Sequence, residues 1–277
     1  MSATTIWVNG RLREAGEARV SALDHGITVG DGVFETVKAV EGAPFALTRH
    51  LDRLARSARG LGLPEPDLDE VRRACAAVLA EQPVALGRLR ITYTGGVSPL
   101  SSDRGDQPPT LIVAVGAIAP RPDTTAVVTV PWVRNERGAL SGLKTTSYGE
   151  NVLALARARE DGASEALFAN TVGQLCEGTG SNVFVVLDGQ TYTPPLASGC
   201  LAGITRALTV DWTGAQESDL PLDVLQRAEE IFLTSTTRDV QAVHRVDARE
   251  LAPGLGPVTA KAMRVFAERS AADPDPV

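Results

Sequence analysis

The stretch Leu175-Cys176-Glu177-Gly178-Thr179-Gly180-Ser181-Asn182-Val183-Phe184 sets a carboxylate before a Gly-Thr-Gly-Ser-Asn turn and an apolar strand. The glycines let the backbone pass tightly, and Asn182 can satisfy local amides. A plain turn before a strand accounts for those residues but leaves the choice of Glu177 unexplained. Upstream, Gly142-Leu143-Lys144-Thr145-Thr146-Ser147-Tyr148 places one of three lysines (Lys38, Lys144, Lys261) between a glycine-containing turn and a helix start. A surface lysine is the simple reading. A nucleophilic amine must be partly desolvated, which composition alone does not reveal. Downstream, Leu201-Ala202-Gly203-Ile204-Thr205-Arg206 opens a helix on a glycine followed by a hydroxyl. Free amides and the helix dipole there suit an anion, and an ordinary Thr205 cap suits the same residues. Last, Leu233-Thr234-Ser235-Thr236-Thr237-Arg238 puts four hydroxyls after an apolar strand, where loop residues gather at sites.

Outward from these segments, the chain alternates strand and helix patterns. Asn9-Gly10 between Trp7-Val8 and Arg11-Leu12 predicts a two-residue hairpin turn. Leu51, Leu54, Ala55, Ala58 and Leu61 share one face of a helix over Thr48–Leu61, ended by Gly60, Gly62 and Pro64. Further helices are expected over 68–80, 149–160, from about 203, over 221–228 and over 258–270. Strands are expected at 30–40, 87–94, 110–115, 126–133, 182–187, 190–193 and 231–233. The run Ala119-Pro120-Arg121-Pro122-Asp123 reads as an extended linker. That gives an N-terminal domain over 1–118, a linker over 119–123 and a C-terminal domain over 124–277 that carries Lys144. The fold class is α/β (α+β), and only Asp273–Val277 looks frayed.

The composition narrows the function. A chain of 277 residues, 43% hydrophobic and 22% charged, is long enough for a sizeable core. Net charge is −7 with no dense Lys/Arg run, which speaks against nucleic acid as a partner. No apolar stretch reaches the ~20 residues of a membrane span, and Met1–Thr5 lacks the pattern of a signal peptide. Cys75, Cys176 and Cys200 form no metal or redox spacing, so reduced thiols in a cytoplasmic protein are expected. His25, His50 and His244 show no zinc-binding spacing, so no metal is expected.

In this order, the four segments resemble the class IV aminotransferase family, the pyridoxal-phosphate (PLP) enzymes of fold type IV. That family includes branched-chain and D-amino-acid aminotransferases and 4-amino-4-deoxychorismate lyases. The similarity extends through Asp24-His25-Gly26, Gly30-Asp31-Gly32-Val33-Phe34-Glu35 and His50-x-x-Arg53-Leu54. It implies a two-domain, D-amino-acid-aminotransferase-like fold, pyridoxal 5'-phosphate as cofactor, a small-molecule amino substrate and a homodimer. Lys144 resembles the lysine that carries the cofactor as a Schiff base and shuttles the α-proton. Glu177 resembles the carboxylate that holds the pyridine nitrogen protonated, which makes the ring an electron sink. Arg53, Gly203, the amides of Ile204 and Thr205, and Thr236 resemble the phosphate-binding set. The role of Arg53 rests on the resemblance, because helix periodicity places it on a polar face with Arg49 and Arg56. Tyr148 is expected beside the cofactor, with Asn151 a weaker candidate.

The same cofactor supports several reactions, so the scaffold leaves the chemistry open. After Ser98-Pro99 the loop reads Leu100-Ser101-Ser102, without the Arg and His that D-amino-acid aminotransferases tend to carry there. Lys144-x-x-x-Tyr148-x-x-Asn151 and Arg88-x-Arg90 resemble spacings in aminodeoxychorismate lyases. The expectation is therefore such a lyase, forming 4-aminobenzoate and pyruvate for folate synthesis. The alternative is an aminotransferase for D-amino acids, branched-chain amino acids or amines. Lys38, Arg90 and Thr237 are candidate substrate contacts, and a structural surface charge is the simpler reading of Lys38. A scaffold that has lost its chemistry is disfavoured, because Lys144, Glu177 and the phosphate set are all present.

Overall fold

The computed structural model describes residues 4–252 and 254–277, so the reading of Met1-Ser2-Ala3 lies outside the described residues. The chain divides into two compact units, and the division falls between Pro120 and Arg121, within the expected linker. Two segments depart from the expected boundaries. Leu143–Tyr148 and Asp273–Val277 belong to the first unit. Lys144 therefore does not belong with the C-terminal residues that flank it in sequence. The physical reason is strand-like pairing: Phe34 N–H donates to Lys144 O at 2.9 Å, and Thr146 N–H donates to Gly32 O at 2.8 Å.

The first unit holds β1 (Thr5–Val8), β2 (Arg11–Glu14), the short α1 (His25–Thr28), β3 (Gly32–Val40) and β4 (Ala43–Pro44). It continues with α2 (Leu47–Leu61), α3 (Leu68–Glu81), β5 (Leu86–Thr94) and β6 (Thr110–Ala117). Its six-stranded sheet has the order β2-β1-β6-β5-β3-β4, antiparallel throughout. The β1–β2 turn needs two residues of positive φ, and Asn9 (44°) and Gly10 (84°) supply them. Strand alternation separates two faces of the sheet. Val33, Val37, Ala39, Leu89 and Ile91 pack with Leu51, Leu54 and Ala58 of α2 and Val71, Ala74 and Val78 of α3. Phe34, Thr36 and Lys38 of β3 and Arg88, Arg90 and Thr92 of β5 lie on the other face, paired in register.

Asp273–Val277, expected to fray, is instead tied down. Pro274 O accepts from Ala46 N at 2.7 Å, and the Asp275 carboxylate accepts from Thr48 N at 2.9 Å and Thr48 Oγ1 at 2.6 Å. Ala46, the N-cap of α2, offers no side-chain cap of its own, so Asp275 meets that need from a distant part of the sequence.

The second unit holds β7 (Thr124–Arg134), α4 (Gly149–Glu160), β8 (Glu165–Asn170), β9 (Leu175–Gly178), β10 (Asn182–Leu187) and β11 (Gln190–Thr193). Then come α5 (Ile204–Thr213), β12 (Gln216–Glu217), β13 (Glu230–Ser235), β14 (Asp239–Val246), β15 (Arg249–Glu250) and α6 (Pro257–Ala272). The sheet order is β12-β11-β10-β13-β14-β7-β8-β9, with β15 on β14. β7 runs parallel to β14 and β8, so this sheet is mixed. Ala126, Val128, Ala166 and Phe168 pack with Ala154 and Ala158 of α4 on one face. Val127, Leu167, Val183 and Leu233 point the other way, against Leu220, Val224 and Leu225. The helix expected over 221–228 is only a 3-10 turn, Leu222–Gln226, pinned to the sheet by those apolar side chains. All three cysteines are free and buried, and burial pushes the Cys75 thiol up to about 12.

Candidate active site

In the first unit, the pairing of Leu143–Tyr148 with the start of β3 fixes Lys144. Its N–H donates to Ser57 Oγ of α2 at 3.2 Å, so both sides of its peptide are held. The Lys144 ammonium stands 4.5 Å from the centroid of the Phe34 ring and 6.0 Å from that of Tyr148. Tyr148 meets Phe34 edge-on at 5.1 Å, and the Arg90 guanidinium lies 3.4 Å from the same Phe34 centroid. Burial pulls Arg90 down to about 10, which leaves it cationic at neutral pH. Lys144 and its neighbour Tyr148 thus gather with Arg90, more than fifty residues earlier in the chain, around the Phe34 ring. Lys38 shares the sheet face but is buried against Phe45, 5.2 Å from its centroid. The surface charge given as its simpler reading is ruled out by that burial.

Arg53 corrects the periodicity reading, because it is 4% exposed where Arg56 faces solvent. Glu35 of β3 lies on the helix-facing side and is fully buried. Arg53 grips it in a fork, Nε to Oε1 and Nη2 to Oε2, each at 2.8 Å, while His50 Nδ1 meets Oε2 at 2.7 Å. Burial works to raise the Glu35 carboxyl, but Arg53 and His50 more than offset it and hold it well below its ordinary range. Burial is also the main reason His50 is pushed down, with a smaller contribution from the Lys144 charge. Arg53→Ala would strand the Glu35 charge, so we expect it to cost about 3–5 kcal/mol of stability. Urea unfolding of the cofactor-free chain checks this, and an unchanged midpoint would remove the pair from the stability of the unit.

In the second unit, Glu177 at the end of β9 is anchored twice. Oε2 accepts from Leu201 N at 2.9 Å, and Oε1 lies 3.1 Å from Arg134 Nε. The Arg134 contact is an ion pair at close range but off the N–H axis, so that N–H makes no hydrogen bond. Arg134 also lies 4.0 Å from the Phe168 centroid and donates to Asn151 Oδ1 at 2.5 Å. Asn151 Nδ2 in turn donates to Thr179 O at 2.7 Å, so Asn151 is a clip between Arg134 and the turn after Glu177. Arg134 escaped sequence reasoning. As one arginine at the end of a strand pattern it carries no local signal, and only its position beside Glu177 marks it.

Gly203 is the N-cap of α5, and no side chain caps that helix. A Cβ on Gly203 would collide with Asn182 Oδ1, and Asn182 Nδ2 donates to Leu201 O at 3.0 Å. Glycine is therefore required by close approach, and the leading amides of Ile204 and Thr205 have no side-chain acceptor. Thr234, paired with Asn182 across β10 and β13, has a buried hydroxyl without a partner. An uncapped helix start beside an orphaned hydroxyl fits a phosphate group. Thr236 and Thr237 occupy the turn between β13 and β14, half-buried. Arg238, the next residue, anchors that turn by donating to Ser164 Oγ at 3.1 Å and Ser164 O at 2.9 Å.

Comparison with known proteins shows the family. Residues 32–246 match the family model for amino-transferase class IV. The chain is 32% identical over 272 residues to a protein of Methanocaldococcus jannaschii provisionally named a branched-chain-amino-acid aminotransferase, covering 94% of each. It is 30% identical over 275 residues to the D-alanine aminotransferase of Listeria monocytogenes, covering 95% of each. Among solved structures, a branched-chain aminotransferase of Thermoproteus uzoniensis with norvaline superposes with a TM-score of 0.90 at 26% identity, covering 96% of this chain and 94% of that one. A hypothetical aminotransferase of Mycobacterium tuberculosis in its PLP-bound form gives 0.85 at 26% identity, covering 97% and 99%. The match over most of the chain, on a mixed α/β fold with a lysine and a carboxylate held as described, makes this chain a member of the class IV aminotransferases, the pyridoxal-phosphate-dependent transaminases of fold type IV.

Proposed function

We propose that the chain transfers the α-amino group of a small aliphatic amino acid to a 2-oxo acid. The relatives named above are aminotransferases, so the expected aminodeoxychorismate lyase has no support among them and transamination replaces it. The observation that carries the substrate reading is the Phe34 ring with Lys144 on it at 4.5 Å and Arg90 at 3.4 Å. That places a permanent cation and a reactive amine on one aromatic surface. It suits an amino acid with one carboxylate and an apolar side chain.

Bound pyridoxal phosphate supplies an aldehyde for the amino group and a ring that draws in the electron pair released at the α-carbon. Lys144 would hold the cofactor through Nζ, and the same atom would carry a proton to and from the substrate α-carbon. Glu177 would hold the pyridine nitrogen of the cofactor protonated, with Arg134 and Leu201 N keeping its carboxylate in place. Gly203, the amides of Ile204 and Thr205, Thr236 and Arg53 would be the residues to take its phosphate. Tyr148 would lie beside the cofactor, and Arg90 would take the substrate carboxylate, with Lys38 and Thr237 as further candidate contacts. A homodimer belongs to the same reading, supported by the exposed apolar Leu23, Ile27 and Leu100 on the first unit.

Between the two substrate families, L-branched-chain amino acids are favoured over D-alanine. The one arginine in the loop after Pro99 is Arg104, and its guanidinium is occupied by Asp31 and the carbonyls of Leu61 and Gly62. A panel of L- and D-amino acids with 2-oxoglutarate or pyruvate as acceptor tests this, with 4-aminobenzoate release from aminodeoxychorismate as a parallel assay. We expect turnover with L-leucine, L-valine or L-isoleucine to exceed that with D-alanine. Faster D-alanine turnover would reverse the substrate reading, and aminobenzoate release without transamination would overturn it.

A further inference from the structure

Two sequence motifs, Asp24-His25-Gly26 and Gly30-Asp31-Gly32, have no part in the chemistry above, yet they hold three charged groups together. Asp31 Oδ2 lies 3.0 Å from His25 Nδ1 and accepts from Arg104 Nε at 2.7 Å, while Oδ1 accepts from Arg104 Nη2 at 2.6 Å. The other ring nitrogen of His25, Nε2, faces the carbonyl of Ser101 at 2.9 Å. A carboxylate and a carbonyl are both acceptors, so both ring nitrogens donate and His25 is the imidazolium. His25 is 1% exposed, which makes the arrangement a built cluster and not a chance surface pair.

The residues beside Asp31 lead directly to the lysine. Gly30 O accepts from Thr146 Oγ1 at 2.8 Å and Ser147 Oγ at 3.1 Å, and Gly32 O accepts from Thr146 N at 2.8 Å. A second route runs through helix α2. Arg104 donates to its last carbonyls, Leu61 O at 2.7 Å and Gly62 O at 2.6 Å, at the negative end of the dipole. The same helix presents Ser57 Oγ to Lys144 N. We propose that His25, Asp31 and Arg104 form a charged clamp that sets the position of the Lys144 segment, through the carbonyls flanking Asp31 and through α2. They are positioning residues, acting on the Lys144 segment through these carbonyls and through α2. The catalytic consequence rests on the assignment of Lys144 as the cofactor lysine, whereas the clamp itself does not.

The clamp is sensitive to pH. The hydrogen bond to Asp31, then that to Ser101 O, holds His25 above its ordinary 6.5, against the effect of burial. For Asp31, burial works to raise the carboxyl, but Arg104 and His25 win and lower it. The other acids close by are Asp24, whose carboxylate accepts from Gly26 N and Thr110 Oγ1, and Asp103 on the loop. A group whose pKa is raised on folding contributes fully below its unfolded value and loses that contribution as pH rises through the folded value. The clamp is therefore closed while Asp31 is ionised and His25 protonated, and it opens on the acid side as Asp31 takes up a proton and on the alkaline side as His25 loses one.

Amide hydrogen exchange on the cofactor-free full chain tests the clamp. Asp31→Asn keeps the shape and removes the charge. We expect protection at the amides of Phe34 and Thr146 to fall about tenfold or more, the scale of losing charge-assisted hydrogen bonds in a local opening. Protection at Leu89 and Val113, in the middle of β5 and β6, stays as in wild type. Arg104→Lys keeps the charge without the fork and carries the same test if Asp31→Asn does not fold. Wild-type protection at Thr146 falls as pH rises above the ordinary imidazole range, after correction for intrinsic exchange, and His25→Gln removes that dependence. In the loaded protein, Asp31→Asn also shifts the pH midpoint of the lysine-linked absorption band, whereas Arg59→Gln, at an exposed pair on the same helix, does not. Unchanged protection at Phe34 and Thr146, or an equal loss through β5 and β6, overturns the clamp. A wild-type chain with no lysine-linked band would sink the reading of Lys144 instead, and the exchange result would still judge the clamp.

Discussion

Replacing Lys144 with alanine is expected to abolish the lysine-linked absorption band and lower turnover by at least about 10³-fold, as for loss of a proton-transferring group, while the chain stays folded. Folding survives because the contacts that fix the segment are made by its backbone. Phe34 N–H donates to Lys144 O, Lys144 N–H donates to Ser57 Oγ, and alanine keeps both. The lost atoms are a half-buried stem against Phe34 and an amine, neither of which is part of the core around α2 and α3. Absorbance spectra before and after borohydride, with steady-state rates, give the answer. A variant with a normal band and normal turnover would show that another group carries the cofactor.

Glu177→Gln is expected to keep the cofactor but lose about 100-fold or more in turnover, comparable to removing one strong electrostatic stabiliser. A neutral amide cannot hold the pyridinium proton as a carboxylate does. Glutamine can still accept from Leu201 N, so the turn stays in place, whereas Arg134 loses the anion 3.1 Å from its Nε. Cofactor content and turnover are measured on the same preparation. Retained cofactor with a collapsed rate supports the role, and near wild-type turnover would reduce Glu177 to a tether for Leu201.

Much of this was legible in the sequence where short-range physics rules. The Asn9-Gly10 turn and the apolar stripe of α2 both follow from spacing and from the backbone freedom of Asn and Gly. The 221–228 segment failed for the opposite reason. Its apolar spacing suits a helix, but packing of Leu220, Val224 and Leu225 under the second sheet leaves only a short 3-10 turn. Lys144, Glu177 and the Gly203 segment were legible as motifs, because their local context is unusual in itself. Their roles came from the resemblance.

The sequence by itself carried the strand and helix periods, the tight turns and the resemblance to the family, and through that resemblance it nominated Lys144 and Glu177, since each signal lies in a short local stretch. Tertiary structure alone decided that Lys144 joins the first unit, that Arg53 is buried on Glu35, that Arg134 stands beside Glu177 and that Asp275 caps α2. These pairings join residues up to 227 positions apart. An isolated charge reads as solvated in any local window, because burial of a charge becomes affordable only once folding brings its counter-charge or its helix end into contact.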